Sequence, residues 1–414
     1  TRFKCDWSSD VCSSDLPGLI LANNLYGIEI DERAGALAAF ALTMKAAGRR
    51  KRFLRQTSKD GVQPNICVLE NVSFRDDELA DYVKEVGRNL FTADLRETLE
   101  QFREAKNFGS LIVPKLNDVA ELRRVIAEKQ FENNLFLRDV HERVLSVLRM
   151  AEFLSPQYHA VIANPPYMGG KGMNGSLDSF AKEHYPDSKS DLFSMFIERS
   201  SSLARKRGFV GMITMQSWMF LSRHQKLREN LIENTPIRSM AHLGTGAFDS
   251  IGGEVVSTTA FVLEKGGSPS TLGDFIDLRE GRSEALKSTE LKKSACGEKT
   301  IRRASTRTFE AIEGRPIAHW ISPKFRSAFT KLSAIKDVFK PAVGLNTGDN
   351  DRFLRQWHEV GQLDICFVGT SIQDAAGRSQ KWFPYNKGGG HRKWYGNQSY
   401  VLNWKNDGEE VKEF

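Results

Sequence analysis

No apolar run in the 414-residue chain approaches the roughly 20 residues needed to cross a bilayer, and no charged segment followed by an apolar one marks a secretory leader. The expected location is the cytoplasm, with no membrane partner. Cysteine is scarce: Cys5, Cys12, Cys67, Cys296 and Cys366 are odd in number and scattered, with no Cys-x-x-Cys pair and no histidine at metal-ligand spacing. That composition indicates neither a disulfide framework nor a zinc site, and no metal is expected. The net charge is modest, +7, but its sign suits a polyanion. With 40% hydrophobic and 27% charged residues, the chain is of globular type and long enough for two or three cores.

The first sixteen residues lack any period. Thr1–Leu16, TRFKCDWSSDVCSSDL, hold two of the five cysteines in a Ser/Asp-rich patch, and they look like translated adaptor or vector sequence. Residues 1–16 are therefore set aside as non-native, and the fold is expected to begin mid-domain.

The stretch that organises the rest is Tyr158-His159-Ala160-Val161-Ile162-Ala163-Asn164-Pro165-Pro166-Tyr167. Its first half is a short β-branched apolar run, which reads as a buried strand. The run stops at two prolines that cannot donate to a sheet ladder. Asn164 thus sits at the carboxyl end of a strand, the edge where open α/β sheets bind ligands. There a carboxamide, a carbonyl freed by proline and an aromatic ring suit one planar amine. Asn-Pro-Pro-Tyr after an apolar strand resembles the catalytic motif of the amino-group DNA methyltransferases, most of which act on adenine N6. The alternative is a strand that ends in a Pro-rich turn.

Upstream, NNLYGIEIDERAGALAAFAL reads as a strand over Leu25–Ile30, an acid, and a helix from Asp31 onward. In Rossmann-like sheets the acid after the second strand takes the cofactor's ribose hydroxyls, and Glu29 is placed for that. Otherwise its carboxylate serves only the helix start. PNICVLENVSF is a further strand, with Glu70 and Asn71 near its end as weaker candidates for reading the cofactor's adenine. Residues 76–154 carry apolar spacings of three and four and read as a helical insertion.

Beyond Tyr167, MGGKGMNGS is glycine-rich but has no phosphate-loop spacing. It is either a mobile loop closing over a base or a plain surface loop. SDLFSMFIERSSSLARKRG reads as an amphipathic helix ending at Gly208, followed by strands over Phe209–Thr214, Ile237–Leu243 and Ser257–Leu263. The last two make a hairpin across GTGAFDSIGGE, where Phe248 either stacks on an extruded base or covers the sheet edge. A basic linker is expected over 266–308. A truncated second module is expected over 309–414, in which Arg352, Lys387, Arg392, Lys393, Trp394 and Tyr395 interleave cations with aromatics. Such a pattern suits either a nucleic-acid groove or an aromatic core with a basic rim.

In this order the segments NNLYGIEID, QFREAKNFGSLI, VIANPPYMGGKGMN, YPDSKSDLFSMFIERS, GLNTGDNDRFLRQW and KWFPYNKGGGHRKWYGN resemble the large adenine-specific DNA methyltransferases of bacteriophage-exclusion (BREX) systems, the PglX family. The resemblance covers Pro17–Phe414. It implies an α/β, Rossmann-like S-adenosylmethionine-dependent methyltransferase domain over 17–265, N-terminally truncated and lacking the Gly-containing first strand. A C-terminal α+β target-recognition module would follow. It implies Asn164, Pro165, Pro166 and Tyr167 as the catalytic motif, and Asp191, Leu192 and Phe193 facing the adenine of the cofactor; otherwise Leu192 and Phe193 are simply core. It also implies double-stranded DNA as substrate and other phage-exclusion proteins as partners. A non-catalytic DNA-binding scaffold, a methyltransferase on RNA or protein and an NAD-dependent oxidoreductase remain open, although the last has no use for Asn-Pro-Pro-Tyr.

Overall fold

The structure is a computed structural model and describes residues 16–48, 53–55, 61–87, 90–131, 134–155, 158–249, 256–298, 301–339 and 344–414. The expectation for residues 1–16 lies outside these, Leu16 excepted. The chain divides into two compact units, residues 1–332 and 333–414.

The first unit opens with α1 (Leu16–Asn23), which leads into β1 (Tyr26–Glu29). Helix α2 (Glu32–Ala47) starts where the Asp31 side chain accepts from the Ala34 amide, and it crosses to β2 (Asn65–Val68). Strands β1 and β2 pair in parallel from Tyr26↔Asn65 to Glu29↔Val68. Gly35 lets α2 lie close on this sheet, because a Cβ there would stand 2.7 Å from Val68 Cγ2. The Asn65 carboxamide ties in α1 by donating to the carbonyls of Leu21 and Ala22.

Residues 76–154 carry the helices α3 (Asp76–Val86), α4 (Ala93–Gln101), α5 (Val119–Ala127) and α6 (Leu135–Leu154). They enclose a core of Tyr82, Leu95, Phe102, Val140, Val144 and Leu148.

A six-stranded mixed sheet follows, in the order β3-β4-β6-β5-β7-β8. Its strands are β3 (Tyr158–Ala163), β4 (Ala204–Met215), β5 (Ile237–Gly244), β6 (Thr258–Glu264), β7 (Leu272–Asp277) and β8 (Arg302–Ser305). Between them lie α7 (Gly175–His184), α8 (Leu192–Leu203), α9 (Gln225–Asn234) and α10 (Glu284–Ala295). Phe193, Val210, Met212, Trp218, Met240, Phe261 and Phe275 form the core. Arg199 of α8 is 4% exposed and donates to the carbonyls of Ser110, Ile112 and Leu154, which fastens the insertion to the sheet.

Three expectations need correction. Helix α8 ends at Leu203, not Gly208, because the chain is already in β4 at Ala204 and Arg207 turns with φ +67°. The stretch read as a basic linker supplies β7, α10 and β8, since Phe275 points into the core and Gly273 lies against the Ile237 carbonyl. The second unit begins at Ser333, because Phe309 packs edge-on to Phe275 at 5.6 Å inside the first.

The second unit carries a three-stranded antiparallel sheet, β10-β11-β9, made of β9 (Leu354–Gln356), β10 (Trp382–Tyr385) and β11 (Tyr400–Asn403). Phe353, Leu354, Leu402 and Val411 are its core. Among the described residues no helix is long and apolar enough to cross a membrane, and no three potential ligands gather for a metal.

Candidate active site

Strands β3 and β4 are parallel, and β4 and β5 are both antiparallel to β6, so β3, β4 and β5 run in one direction. Their carboxyl ends place Asn164, Gln216 and the Phe248 turn along one edge of the sheet.

Asn164 is exposed, Pro165 beneath it is buried, and none of the described hydrogen bonds engages the Asn164 carboxamide. A rigid, buried proline followed by a second proline fixes the backbone that presents this side chain. Tyr167 is half-buried, with its ring edge-on to Phe193 at 6.3 Å. Its hydroxyl is buried without a partner, and burial raises its pKa.

The chain after Tyr167 is stitched to the start of α8. Gly169 bridges Asp191, the Leu192 amide donates to the Met168 carbonyl, and the Gly170 amide donates to the Ser190 carbonyl. Asp191 caps α8 by accepting from the Phe193 amide, and burial raises its carboxyl pKa. Leu192 and Phe193, expected to face a cofactor, are buried, and Phe193 backs Tyr167 on one side and His224 on the other. Burial pushes His224 down to about 4, so its ring is neutral. Nε2 of His224 accepts from Arg223, which leaves the proton on Nδ1, 3.3 Å from the Ser190 hydroxyl.

The glycine-rich loop meets the insertion at its far end. Asn174 caps α7 and forms a reciprocal amide pair with Asn107 of the insertion, at 2.9 and 3.3 Å. Glu104 accepts from Ser176 and Asn107, and Phe108 stacks on Phe180 at 4.2 Å. The same insertion turn covers the end of the β1–β2 sheet. The Lys106 amide donates to Asn71, its ammonium pairs with Glu32 at 3.4 Å, and Gly109 lies against Ile30.

Glu29 ends β1, and its Oε1 accepts from the Ile30 and Asp31 amides. The cap of α2 belongs to Asp31, so Glu29 is not consumed by the helix start. Asn71 anchors the insertion turn, while Glu70 is exposed.

Phe248 is half-buried in a turn held from behind. The Lys287 ammonium, in a side chain 4% exposed overall, donates to the Leu243 and Leu278 carbonyls, and Asp249 accepts from the Glu284 amide. Half-buried Gln216 and the buried His242 and His319 form a chain with contacts of 2.6 and 3.2 Å. Burial lowers His242 to about 4 and His319 to about 3.

In the second unit, Arg352 lies over Phe353 and Phe414, which makes it part of the packing. Lys387 covers Tyr400 at 4.6 Å, and Arg392 and Lys393 are exposed beside Trp394 and Tyr395, themselves 90% and 80% exposed. Arg199, His224, Lys287 and the Asn107–Asn174 pair carry no signal in the sequence. Each is an ordinary polar residue whose significance depends on partners distant in the chain.

A family model described as Eco57I restriction-modification methylase matches residues 23–248. The chain is 37% identical to the adenine-specific methyltransferase BrxX of Escherichia coli O9:H4 (strain HS), over 96% of this chain and 34% of that protein. It is also 37% identical to the adenine-specific methyltransferase PglX of Lacticaseibacillus casei (strain Zhang), over 95% of this chain and 33% of that one. A shorter likeness, 29% over 22% of this chain and 9% of the relative, links it to the type II restriction enzyme and methyltransferase RM.Eco57I of Escherichia coli. The chain spans about a third of the length of the two relatives it resembles throughout. With more than half its residues matched by that family model, the chain belongs to the Eco57I restriction-modification methylase family.

Proposed function

We propose that the protein methylates the exocyclic N6 of adenine in double-stranded DNA, using S-adenosylmethionine, as the site-specific modification enzyme of a phage-exclusion system. The observation that carries this reading is the exposed, unengaged Asn164 carboxamide at the carboxyl edge of β3, set on a buried proline beside Tyr167.

An adenine amine is a poor nucleophile because its lone pair is delocalised into the ring. Asn164 Oδ1 and the Pro165 carbonyl accept its two N–H bonds, which draws the nitrogen toward a tetrahedral geometry with its lone pair free. The proton is lost to water after the nitrogen is alkylated. Holding amine and methyl donor in line removes much of the entropic barrier. The base must leave the duplex, at a cost of a few kcal/mol, and stacking on Tyr167 offsets part of this.

The residues present fit the cofactor. Glu29 closes β1 with a carboxylate suited to two ribose hydroxyls, and Asp191, Leu192 and Phe193 form the wall beside Tyr167 toward which its adenine would lie. S-adenosylmethionine supplies an electrophilic sulfonium methyl group. Phe248, on the same sheet edge, is the second platform for the flipped base. Lys387, Arg392, Lys393, Trp394 and Tyr395 would contact the DNA backbone and bases.

The test is methyl transfer from labelled S-adenosylmethionine to duplex DNA by the chain extended at both ends to the length of its relatives. Label should appear as N6-methyladenine and vanish in Asn164→Ala while DNA binding persists. Transfer that survives Asn164→Ala would overturn the assignment.

A further inference from the structure

Strands β3, β4 and β5 end on one edge of the six-stranded sheet, and the strand order sets β4 between the other two. Gln216, the residue after β4, therefore stands between Asn164 and Phe248 along that edge. Its backbone is held there, because its amide donates to the Ser257 carbonyl at 2.9 Å. Its side chain leads inward to two histidines. Gln216 Oε1 meets His242 Nε2 at 2.6 Å, and His242 Nδ1 meets His319 Nε2 at 3.2 Å. Phe220 and Trp320 pack on the His242 ring at 6.1 and 5.7 Å, and Phe275 stacks on His319 at 5.4 Å. Aromatic rings thus hold both imidazoles in orientation.

The chain of contacts has a polarity. Both rings are neutral, because burial holds His242 at about 4 and His319 at about 3, so each carries a single N–H. Two arrangements satisfy both contacts. In one, His319 Nε2 donates to His242 Nδ1, and His242 Nε2 donates to Gln216 Oε1. In the other every bond is reversed, the Gln216 amide is turned over, and the His319 proton sits on Nδ1. That Nδ1 decides between them, since it is buried and has no partner. Orphaned buried N–H groups are rarer than acceptors left with a spare lone pair, so the proton belongs on Nε2. Gln216 accordingly turns its oxygen toward His242 and its Nε2, with two N–H donors, away from it. None of the described hydrogen bonds engages that nitrogen.

This end of the amide complements the chemistry assigned to Asn164. The Asn164 carboxamide and the Pro165 carbonyl are acceptors for the two protons of the reacting amine. On either side of that amine adenine carries a bare ring nitrogen, N1 or N7, which needs a donor. A glutamine free to turn over would offer an oxygen to the same place at little cost. The two histidines prevent this, and a base with an N–H at that position would be refused.

We infer that Gln216 donates from Nε2 to a ring nitrogen of the flipped adenine, N1 or N7, and that His242 and His319 are positioning residues that fix the amide for this contact. The inference deepens the proposed function and rests on it.

The experiment uses Gln216→Glu, which keeps an oxygen for His242 and removes the donors. In the chain extended to the length of its relatives, kcat/KM on duplex DNA at about pH 8 should fall roughly tenfold or more. The target adenine is then replaced by 1-deazaadenine or by 7-deazaadenine. On one of the two analogues parent and variant should methylate at equal rates, because the contact is already gone, and that analogue identifies the nitrogen. A variant as active as the parent on adenine, or a penalty that persists on both analogues, would overturn the inference and leave the methyltransferase reading intact. A parent that transfers no methyl group to any duplex would sink that reading and this inference with it. Independently of activity, spectra of the protein carrying nitrogen-15 histidine should place the proton on Nε2 of both His242 and His319 at neutral pH. A proton on Nδ1 of either ring would reverse the polarity and overturn the inference.

Discussion

Tyr167 stands edge-on to Phe193, ring planes at 89° and centroids 6.3 Å apart, so the aromatic of the Asn-Pro-Pro-Tyr stretch rests on the first turn of α8. The packing fixes the ring but leaves its hydroxyl buried and unpartnered. An orphaned hydroxyl costs about 1–3 kcal/mol. Tyr167→Phe is expected to keep the stack and raise stability by about 1 kcal/mol, read as a higher urea midpoint at unchanged slope. A lower midpoint would mean that the hydroxyl has a partner.

Arg199 satisfies three carbonyls from the insertion with one guanidinium. Arg199→Met should cost on the order of 3 kcal/mol, because it strands those acceptors, and Arg199→Lys should recover little, because an ammonium lacks the planar fork. Thermal melts of both variants test this, and a lysine variant as stable as the parent would refute it.

Three of the buried imidazoles give the fold an acid limit. His224 and His242 titrate at about 4 and His319 at about 3 in the folded chain, each pushed down chiefly by burial, against roughly 6.5 when unfolded. Below pH 6.5 the unfolded chain binds the extra protons, so stability is full above that value and falls as pH drops toward 4. Each group contributes a slope of up to about 1.4 kcal/mol per pH unit. Urea midpoints between pH 7 and 4.5 should decline, and less steeply in His224→Gln.

Packing residues and the proposed DNA contacts are different side chains in the second unit. Arg352→Ala should lower stability, because Arg352 lies over Phe353 and Phe414. Arg392→Ala with Lys393→Ala, both exposed, should leave the melt nearly unchanged and reduce the salt slope of DNA binding by roughly 0.9 for each phosphate no longer neutralised. Equal slopes in parent and double variant would remove these two cations from the interface.

What the sequence discloses follows the range of its signals. Val161-Ile162-Ala163 stopped by two prolines announces β3 and its end, and Asp31 before an Ala-rich run announces α2, because strand period, proline and capping are local. The run 266–308 misleads because charge density reports the solvated side of an element and says nothing of its other side. Lys287, in the middle of the basic run, is buried, and Phe275 enters the core. The clasp of Asn107 on Asn174 joins residues 67 positions apart, and no local rule marks their pairing, although Asn174 is also the cap of α7.

That clasp is electrically neutral. Two carboxamides that exchange donor and acceptor carry no net charge, so added salt hardly weakens them, while attraction to a polyanion fades steeply as ionic strength rises. High ionic strength would therefore leave the loop beyond Tyr167 fastened in place.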